Sequence, residues 1–210
     1  MSKRPSAVLS VTRVLEDWEE TPEATSPDQP GGQRVFRHVQ LPDHVRGSLL
    51  LHSMPGRLES LEVAWGQVRA DGVQAIVNLA RPDEIWEKSP DYAKALQSGH
   101  LPCPVISFPI QDYGTPRSRE AFWQLTVDLA RRLEAGERIL VHCAAGIGRT
   151  GTLATCLLIA LGETQAAAAK AVRTAGSSPE TGGQMGIAAW CVGRRQQHHP
   201  PPHDQGGPDQ

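Results

Sequence analysis

The stretch from His142 to Gly151, HCAAGIGRTG, decides the fold of this chain. It follows a short apolar run, Arg138 to Val141, whose length and composition predict a buried β-strand. It precedes a longer apolar run, Thr152 to Leu161, which predicts a buried helix. Cys143 and Arg149, six positions apart, therefore lie on a tight turn between a strand and a helix.

This turn predicts a binding site for an anion. Its backbone N–H groups and the positive end of the following helix dipole point at one position, where negative charge is favoured. The same dipole and the nearby Arg149 favour the thiolate form of Cys143. A nucleophile at the floor of an anion cradle is suited to accept a phosphoryl group covalently.

The composition argues against several classes of partner. The chain has 210 residues and a net charge of -2, so neither nucleic acid nor a membrane surface is expected as a partner. No apolar run approaches the ~18 residues of a membrane span, and we expect no secretory signal. The four cysteines are Cys103, Cys143, Cys156 and Cys191. Because they are scattered without a Cys-x-x-Cys pair, they predict neither a zinc site nor a disulfide scaffold and favour a cytoplasmic location.

The chain divides by composition into a core and two polar ends. Residues 1–33 are predicted to form a flexible N-terminal segment, because their second half is rich in proline, glycine and acidic residues. Residues 34–195 are predicted to form the folded domain. Residues 196–210, with three adjacent prolines, are predicted to be a disordered tail. Loose metal binding by the three histidines of this tail is the less favoured alternative to a solvated tail.

Apolar patterns predict strands and helices in turn along the core. The predicted strands span residues 35–41, 47–53, 74–79, 104–109 and 139–142. The predicted helices span residues 58–71, 92–97, 118–135, 152–161, 164–175 and 181–194. This alternation favours an α/β fold, with a central, mostly parallel sheet of four to five strands, flanking helices and a helical C-terminal layer. In such a sheet, ligands bind where the strands end.

The motif His142-Cys143-x5-Arg149-Thr150-Gly151 resembles the signature of the cysteine-dependent protein tyrosine phosphatases, in particular of their dual-specificity branch. The resemblance extends from about Leu49 to Trp190. Two further segments, MPGR at residues 54–57 and PIQDYGTP at residues 109–116, are most similar to the kinase-associated phosphatase subgroup. The resemblance implies a phosphatase that works through a phosphocysteine without metal or cofactor, and whose P-loop, here called the signature loop, is residues 143–149.

The chemistry of the motif gives each of its residues a predicted role. Cys143 is the predicted nucleophile, and Arg149 is predicted to pair with two phosphate oxygens. The backbone amides of the loop are predicted to bind phosphate, and its glycines let it curl. The residues of this phosphate-binding set are Ala144, Ala145, Gly146, Ile147, Gly148 and Arg149. Thr150 either bonds the Cys143 sulfur as the leaving thiolate or caps the following helix. The resemblance implies that His142 orders the loop through hydrogen bonds.

The leaving group needs a proton, and Asp112 is the predicted general acid. It follows the strand predicted at residues 104–109, and the resemblance implies an acid at this position. We expect this strand to neighbour the strand that carries Cys143, so that both loops meet at one edge of the sheet. A purely turn-forming role for Asp112 is the alternative. The competing acids, predicted on the preceding loop and ranked behind Asp112, are Asp83, Glu84 and Asp91.

A late glutamine, Gln184, has two interpretations. The resemblance implies a glutamine that positions the hydrolytic water, in a pattern like PETGGQ at residues 179–184. Thr181 and Gln184 also match a capping box that starts the last predicted helix. The sequence favours neither role.

Three functions are compatible with the sequence. The leading hypothesis is a phosphatase of phosphotyrosine and phosphoserine/threonine in proteins, because the core is too short for the loop that deepens the pocket of the large tyrosine-specific enzymes. The second is the same mechanism on a non-protein phosphate: an inositol phosphate, a sugar phosphate or an RNA 5′ triphosphate. A loop without lysine disfavours inositol phospholipids among these. The third is a phosphate-binding module without turnover, which the presence of both Cys143 and Arg149 argues against. The sequence does not define an oligomeric state.

Overall fold

The structure of the protein is a computed structural model that describes residues 36–198. The predicted segment 1–33 and residues 199–210 of the predicted tail lie outside the described residues. The domain boundaries at these ends therefore stay predictions, as does loose metal binding by the tail histidines. Within the described range, no helix is both long and apolar enough to cross a membrane.

A five-stranded sheet forms the centre of the described residues. Its strands are β1 Arg37–Val39, β2 Ser48–His52, β3 Ala75–Asn78, β4 Val105–Ser107 and β5 Arg138–His142. The strand order is β1-β2-β5-β3-β4, with β1 antiparallel to β2 and all other neighbours parallel. The predicted α/β class and mostly parallel sheet are confirmed.

Seven helices flank this sheet within residues 36–198. They are α1 Leu61–Ala70, α2 Pro82–Lys88, α3 Pro90–Ser98, α4 Arg119–Glu134, α5 Gly148–Ala160, α6 Gln165–Thr174 and α7 Gly182–His198. The side chains of Ser60, Ser118 and Thr164 each accept a hydrogen bond from the backbone amide three residues later. These caps fix where α1, α4 and α6 begin.

The helix α2 is absent from the sequence prediction, because seven residues are too few to show apolar periodicity. Its start carries Pro82, followed by Asp83 and Glu84, residue types that are favoured in the first turn of a helix. Asp91 likewise lies in the first turn of α3. The three competing acids therefore lie on helices and not on the predicted loop.

The boundaries of α5 and α7 also differ from the prediction. The helix α5 begins at Gly148 and not at Thr152, because the end of the signature loop already forms the first helical turn. The helix α7 continues to His198, so residues 196–198 of the predicted tail are helical.

The most buried elements are β5 and α5, which flank the signature loop. Successive side chains of β5 face opposite sides of the sheet: Ile139 and Val141 pack in one apolar cluster and Leu140 in the other. Every residue of α5 from Gly148 to Ile159 is buried. Because close-packed interiors resist displacement, the loop between these elements has a rigid support.

The prediction that β4 lies next to β5 in the sheet is wrong. The strand β3 lies between them, and β4, with three residues, is the outermost strand on that side. The chain after β4 still reaches the site, because it continues to pair with the end of β3. The Phe108 amide donates to the Asn78 carbonyl at 2.9 Å, and the Ile110 amide donates to the Leu79 carbonyl at 3.0 Å. The loops after β3, β4 and β5 therefore meet at the carboxyl ends of these parallel strands.

Candidate active site

The thiol of Cys143 lies at the floor of the signature loop, where the residue is only 2% exposed. The backbone amide of Gly146 donates a hydrogen bond to Cys143 Sγ at 3.2 Å. Gly146 has a φ of 72°, a left-handed conformation that glycine adopts without strain. A Cβ at this position would also collide with the carbonyl of His52. The curl of the loop around Cys143 therefore requires glycine at position 146.

Gly148 serves the loop differently from the prediction. Its φ lies outside the left-handed region, so it does not supply a curl. A Cβ at Gly148 would instead collide with the carboxylate of Glu180, and it would approach Gln184 Oε1 to 3.1 Å. The small size of Gly148 thus lets the segment before α7 pack against the start of α5.

The guanidinium of Arg149 is buried, with the residue 2% exposed, and is held mainly by Glu84. Nη1 and Nη2 donate to Glu84 Oε2 and Oε1, each at 2.7 Å, which forms a bidentate pair. Nη1 also donates to the Ile110 carbonyl at 3.0 Å, and Nη2 pairs with Asp112 Oδ1 at 2.8 Å. Among the described residues, no acceptor is bonded to Nε of Arg149, so this N–H stays open to a ligand.

The two members of this pair hold each other in the charged state. Burial opposes the charge of Glu84, but the hydrogen bonds and positive charge of Arg149 outweigh it and lower the pKa of Glu84. Burial likewise opposes the charge of Arg149. The bond to Glu84 and the negative charges of Cys143, Glu84 and Asp112 raise the pKa of Arg149 above its usual value. The cation is therefore permanent at the floor of the site.

Asp112, the predicted general acid, lies beside Arg149. Its side chain is 52% exposed, pairs with Arg149, and accepts a hydrogen bond from the Tyr113 amide at 3.1 Å. Two of the competing acids are engaged elsewhere, since Asp83 pairs with Arg81 at the surface and Asp91 pairs with Lys94, and the third, Glu84, is buried against Arg149. Of the four acids considered, Asp112 alone is both beside Arg149 and open to solvent.

Gln184 forms hydrogen bonds through both its backbone and its side chain. Its backbone amide donates to Thr181 Oγ1 at 3.2 Å, which is one half of a capping box. Its side chain accepts from the Glu180 amide at 2.7 Å and donates to the Gly114 carbonyl at 3.2 Å. Gln184 therefore connects the start of α7 with the loop that carries Asp112, at the rim of the signature loop.

Neither predicted hydrogen bond of Thr150 is present. Its hydroxyl is buried, and within the described chain it has no hydrogen-bond partner. The cap position of α5 is Ile147, without a side-chain cap. A buried hydroxyl without a partner is costly, so Thr150 is available to bond a group that arrives during a reaction.

The imidazole of His142 supports the loop from below and is fully buried. Nδ1 lies 3.0 Å from the Cys143 carbonyl, and Nε2 lies 3.0 Å from the hydroxyl of Tyr92. Since a carbonyl only accepts, Nδ1 carries the proton and Tyr92 donates to Nε2. Burial lowers the pKa of His142 to about 4, and burial raises the pKa of Tyr92. A neutral His142 thus ties the first residue of the loop to α3.

This buried histidine predicts a loss of stability in mild acid. The folded-state pKa lies below the ordinary histidine value of 6.5, so the contribution of His142 is complete above pH 6.5 and is lost as the pH falls towards 4. The free energy of unfolding should fall by about 3 kcal/mol over this interval on account of this residue. Urea denaturation at a series of pH values measures it. His142→Asn should flatten the slope, and an unchanged slope in this variant would contradict the assignment.

Four residues of the site lie outside the sequence predictions in their observed role. Glu84 holds Arg149, Tyr92 holds His142, and both Arg37 Nη2 and Ser177 Oγ donate to the Gly146 carbonyl at 2.6 Å. Three of the four carried no local signal, because their partners are distant in sequence. Glu84 was a candidate acid, but its pairing with Arg149 was not predicted.

The fold and the site together define a class of cysteine-dependent phosphatases. The chain belongs to the family described as polymorphic toxin system, DSP-PTPase phosphatase, whose model matches residues 52–163. The resemblance to the dual-specificity branch is thereby confirmed.

Individual relatives agree with this family. A protein of Invertebrate iridescent virus 3, named as a tyrosine phosphatase, is 45% identical over 56 residues, which cover 25% of this chain and 23% of the relative. Cyclin-dependent kinase inhibitor 3 of Rattus norvegicus is 38% identical over 55 residues, which cover 26% of each chain. The chain thus matches only about a quarter of the length of these curated relatives.

The solved structure of kinase associated phosphatase superposes with a TM-score of 0.62 at 19% identity, covering 77% of this chain and 94% of the other. At this identity the likeness shows a shared fold.

Proposed function

We propose that this protein is a phosphatase of phosphotyrosine and phosphoserine/threonine in proteins, which acts through a phosphocysteine intermediate. The observation that carries the proposal is the convergence of three side chains from three loops: Cys143 at the floor, Arg149 beside it, and Asp112 paired with Arg149 at 2.8 Å. A nucleophile, a fixed cation and a solvent-facing acid in one site are the parts that phosphate ester cleavage requires.

In the first step the Cys143 thiolate attacks phosphorus, so that a P–S bond forms while the P–O bond to the leaving group breaks. Asp112 gives its proton to the departing oxygen. The amides of the signature loop, from Ala144 to Arg149, stabilise the charge on the transferred oxygens.

The phosphate competes with Asp112 for Arg149. Both N–H groups of Nη1 and both of Nη2 are engaged by protein acceptors, so the phosphate meets only Nε unless Asp112 releases Nη2. Bidentate pairing of Arg149 with the phosphate therefore requires the ion pair with Asp112 to open.

In the second step water attacks the phosphocysteine, the P–S bond breaks and the thiolate of Cys143 leaves. The proposed role of Gln184 is to orient this water from the rim, and its bond to the Gly114 carbonyl keeps it beside the Asp112 loop. Asp112, now ionised, accepts the proton of the water. The unpartnered hydroxyl of Thr150 is the proposed donor to the departing sulfur. His142 has the proposed role of ordering the loop.

The signature loop supports a protein substrate over an inositol phospholipid. Between Cys143 and Arg149 the loop carries no lysine or arginine that would bind additional phosphate groups. All four cysteines are free thiols, which supports the cytoplasm as the proposed location, because a reducing compartment keeps a nucleophilic thiol active.

A substrate panel tests this function. We expect hydrolysis of p-nitrophenyl phosphate and of phosphotyrosine and phosphothreonine peptides, with kcat/KM on the peptides at least about tenfold above that on an inositol phosphate or an RNA 5′ triphosphate. A preference for the non-protein phosphates would support the second hypothesis. Phosphate binding without hydrolysis of any substrate would support the binding module.

The proposed general acid has its own test. Asp112→Asn should lower kcat on phosphotyrosine peptides by about 10²-fold, because the leaving oxygen loses its proton donor. Binding of inorganic phosphate should persist or tighten, since the variant frees Nη2 of Arg149. Steady-state kinetics and isothermal titration of phosphate measure the two quantities. Asp83→Asn is the matched control, and equal rates in both variants would refute the role.

A further inference from the structure

Arg37 reaches the active site from the edge strand β1. It is the first residue of β1 and lies level with Leu51 of β2, which in turn lies level with Val141 of β5. Because β1 runs antiparallel to β2, its first residue lies beside the carboxyl ends of β2 and β5, and the signature loop begins at the carboxyl end of β5.

The guanidinium of Arg37 has only carbonyl partners among the described residues. Nη2 donates to the Gly146 carbonyl at 2.6 Å, and Nη1 donates to the carbonyls of Ala175 and Gly176. No carboxylate in the described part of the chain forms an ion pair with it. Burial lowers the pKa of Arg37, and the negative charge of Cys143 opposes this shift only in part. A half-buried positive charge, not neutralised by an acid, therefore lies within electrostatic reach of the nucleophile.

The bond to Gly146 also orients the loop. The Gly146 carbonyl is held by Arg37 on one side and by the buried Ser177 hydroxyl on the other, each at 2.6 Å. In a planar trans peptide the C=O and the N–H point in opposite directions. Fixing this carbonyl away from the cradle therefore aims the N–H of Ile147 into it, where phosphate would bind.

We propose that Arg37 is a positioning residue of the active site, which with Ser177 locks the Gly146–Ile147 peptide for anion binding and alone supplies a second positive charge for the Cys143 thiolate. Its effect on turnover rests on the proposed phosphatase function. Its effects on thiol reactivity and on phosphate binding do not depend on that function. The two parts of the proposal can be tested separately, because Ser177 donates to the same carbonyl as Arg37 but carries no charge.

The experiment follows alkylation of Cys143 by iodoacetamide near neutral pH, with mass spectrometry locating the modified residue. The alkylation rate without phosphate measures the reactivity of the Cys143 thiolate. The concentration of inorganic phosphate that halves this rate measures the affinity of the signature loop for phosphate. The variants are Arg37→Met, Arg37→Lys and Ser177→Ala, with kcat and KM on p-nitrophenyl phosphate measured in parallel.

Arg37→Met should slow alkylation about fivefold and weaken phosphate protection about tenfold, because it removes both the charge and a donor. Ser177→Ala should keep the alkylation rate and weaken phosphate protection several-fold. Arg37→Lys should restore the alkylation rate but only part of the phosphate protection, because an ammonium lacks the fork that reaches three carbonyls.

Arg46→Met is the matched control. This exposed arginine also donates to a carbonyl, that of Glu134 at 3.3 Å, but it lies just before the amino end of β2, away from the site. It should match the unmodified protein in both readouts.

Alkylation and phosphate protection within twofold of the unmodified protein in all three Arg37 and Ser177 variants would overturn the proposal. If Arg37→Met fails to fold, unchanged phosphate protection in both Arg37→Lys and Ser177→Ala would overturn it. Absence of p-nitrophenyl phosphate hydrolysis by the unmodified protein, with the expected alkylation pattern, would reject the proposed function and leave this inference standing.

Discussion

Replacing Cys143 with serine is expected to reduce phosphatase activity by a factor on the order of 10⁵, to the level of the assay background. Serine has a similar shape and can keep the bond from the Gly146 amide. Its hydroxyl, however, is a poor nucleophile at neutral pH without an adjacent base. Phosphate binding should survive, because the loop amides and Arg149 remain in place. Hydrolysis of p-nitrophenyl phosphate and isothermal titration of phosphate measure the two effects.

The chain offers a matched control for this substitution. Cys103 is a half-buried cysteine in the apolar cluster on the other side of the sheet, and burial raises its pKa to about 11. At neutral pH it is a thiol and not a nucleophile. Cys103→Ser should therefore retain full activity, and substantial activity in Cys143→Ser would end the proposed mechanism.

Replacing Glu84 with glutamine is the second large effect. Glutamine keeps the shape of the side chain but leaves the buried guanidinium of Arg149 without its main counter-charge. We expect the free energy of unfolding to fall by about 3 kcal/mol, since breaking one partner of a buried pair is strongly destabilising. We also expect kcat/KM to fall about 10²-fold, because Arg149 loses its fixed orientation. Urea denaturation and steady-state kinetics measure these quantities.

Asp83→Asn controls for the loss of an acid from the same helix. Asp83 is exposed and pairs with Arg81 at the surface, so its loss should change stability by less than about 1 kcal/mol. Equal changes in the Glu84 and Asp83 variants would show that the buried pair with Arg149 does not stabilise the protein.

The central part of the fold follows from local sequence patterns. The apolar runs on either side of the signature loop predict β5 and α5 because both elements are buried on nearly all sides and therefore contain few polar residues. The loop is predictable for the same reason: Cys143, the glycines and Arg149 are adjacent in sequence. The family match to residues 52–163 agrees with this interpretation.

The order of the strands in the sheet cannot be predicted from local sequence patterns. β4 has three residues and lies at the edge, and nothing in its sequence distinguishes a neighbour of β5 from a neighbour of β3. Asp112 still has the expected position beside Arg149, because parallel strands end at one edge of the sheet whatever their order.

The supporting contacts of the site are also long-range. Glu84 and Arg149 are 65 residues apart, and Arg37 and Gly146 are 109 residues apart. In sequence, an acid after a proline resembles any helix start, and an arginine in an alternating strand resembles any surface residue. Only the folded chain shows that these two side chains hold the arginine and the carbonyl of the signature loop.

Trapping the covalent intermediate is the most direct measurement of the proposed mechanism. The protein is mixed with a phosphatase substrate, quenched in acid within one turnover and analysed by mass spectrometry of its peptides. The mechanism predicts one phosphoryl group on Cys143, in larger amount when Gln184→Ala slows the second step, and none in Cys143→Ser. Turnover without a phosphoryl group on Cys143, or a phosphoryl group on another residue, would contradict it.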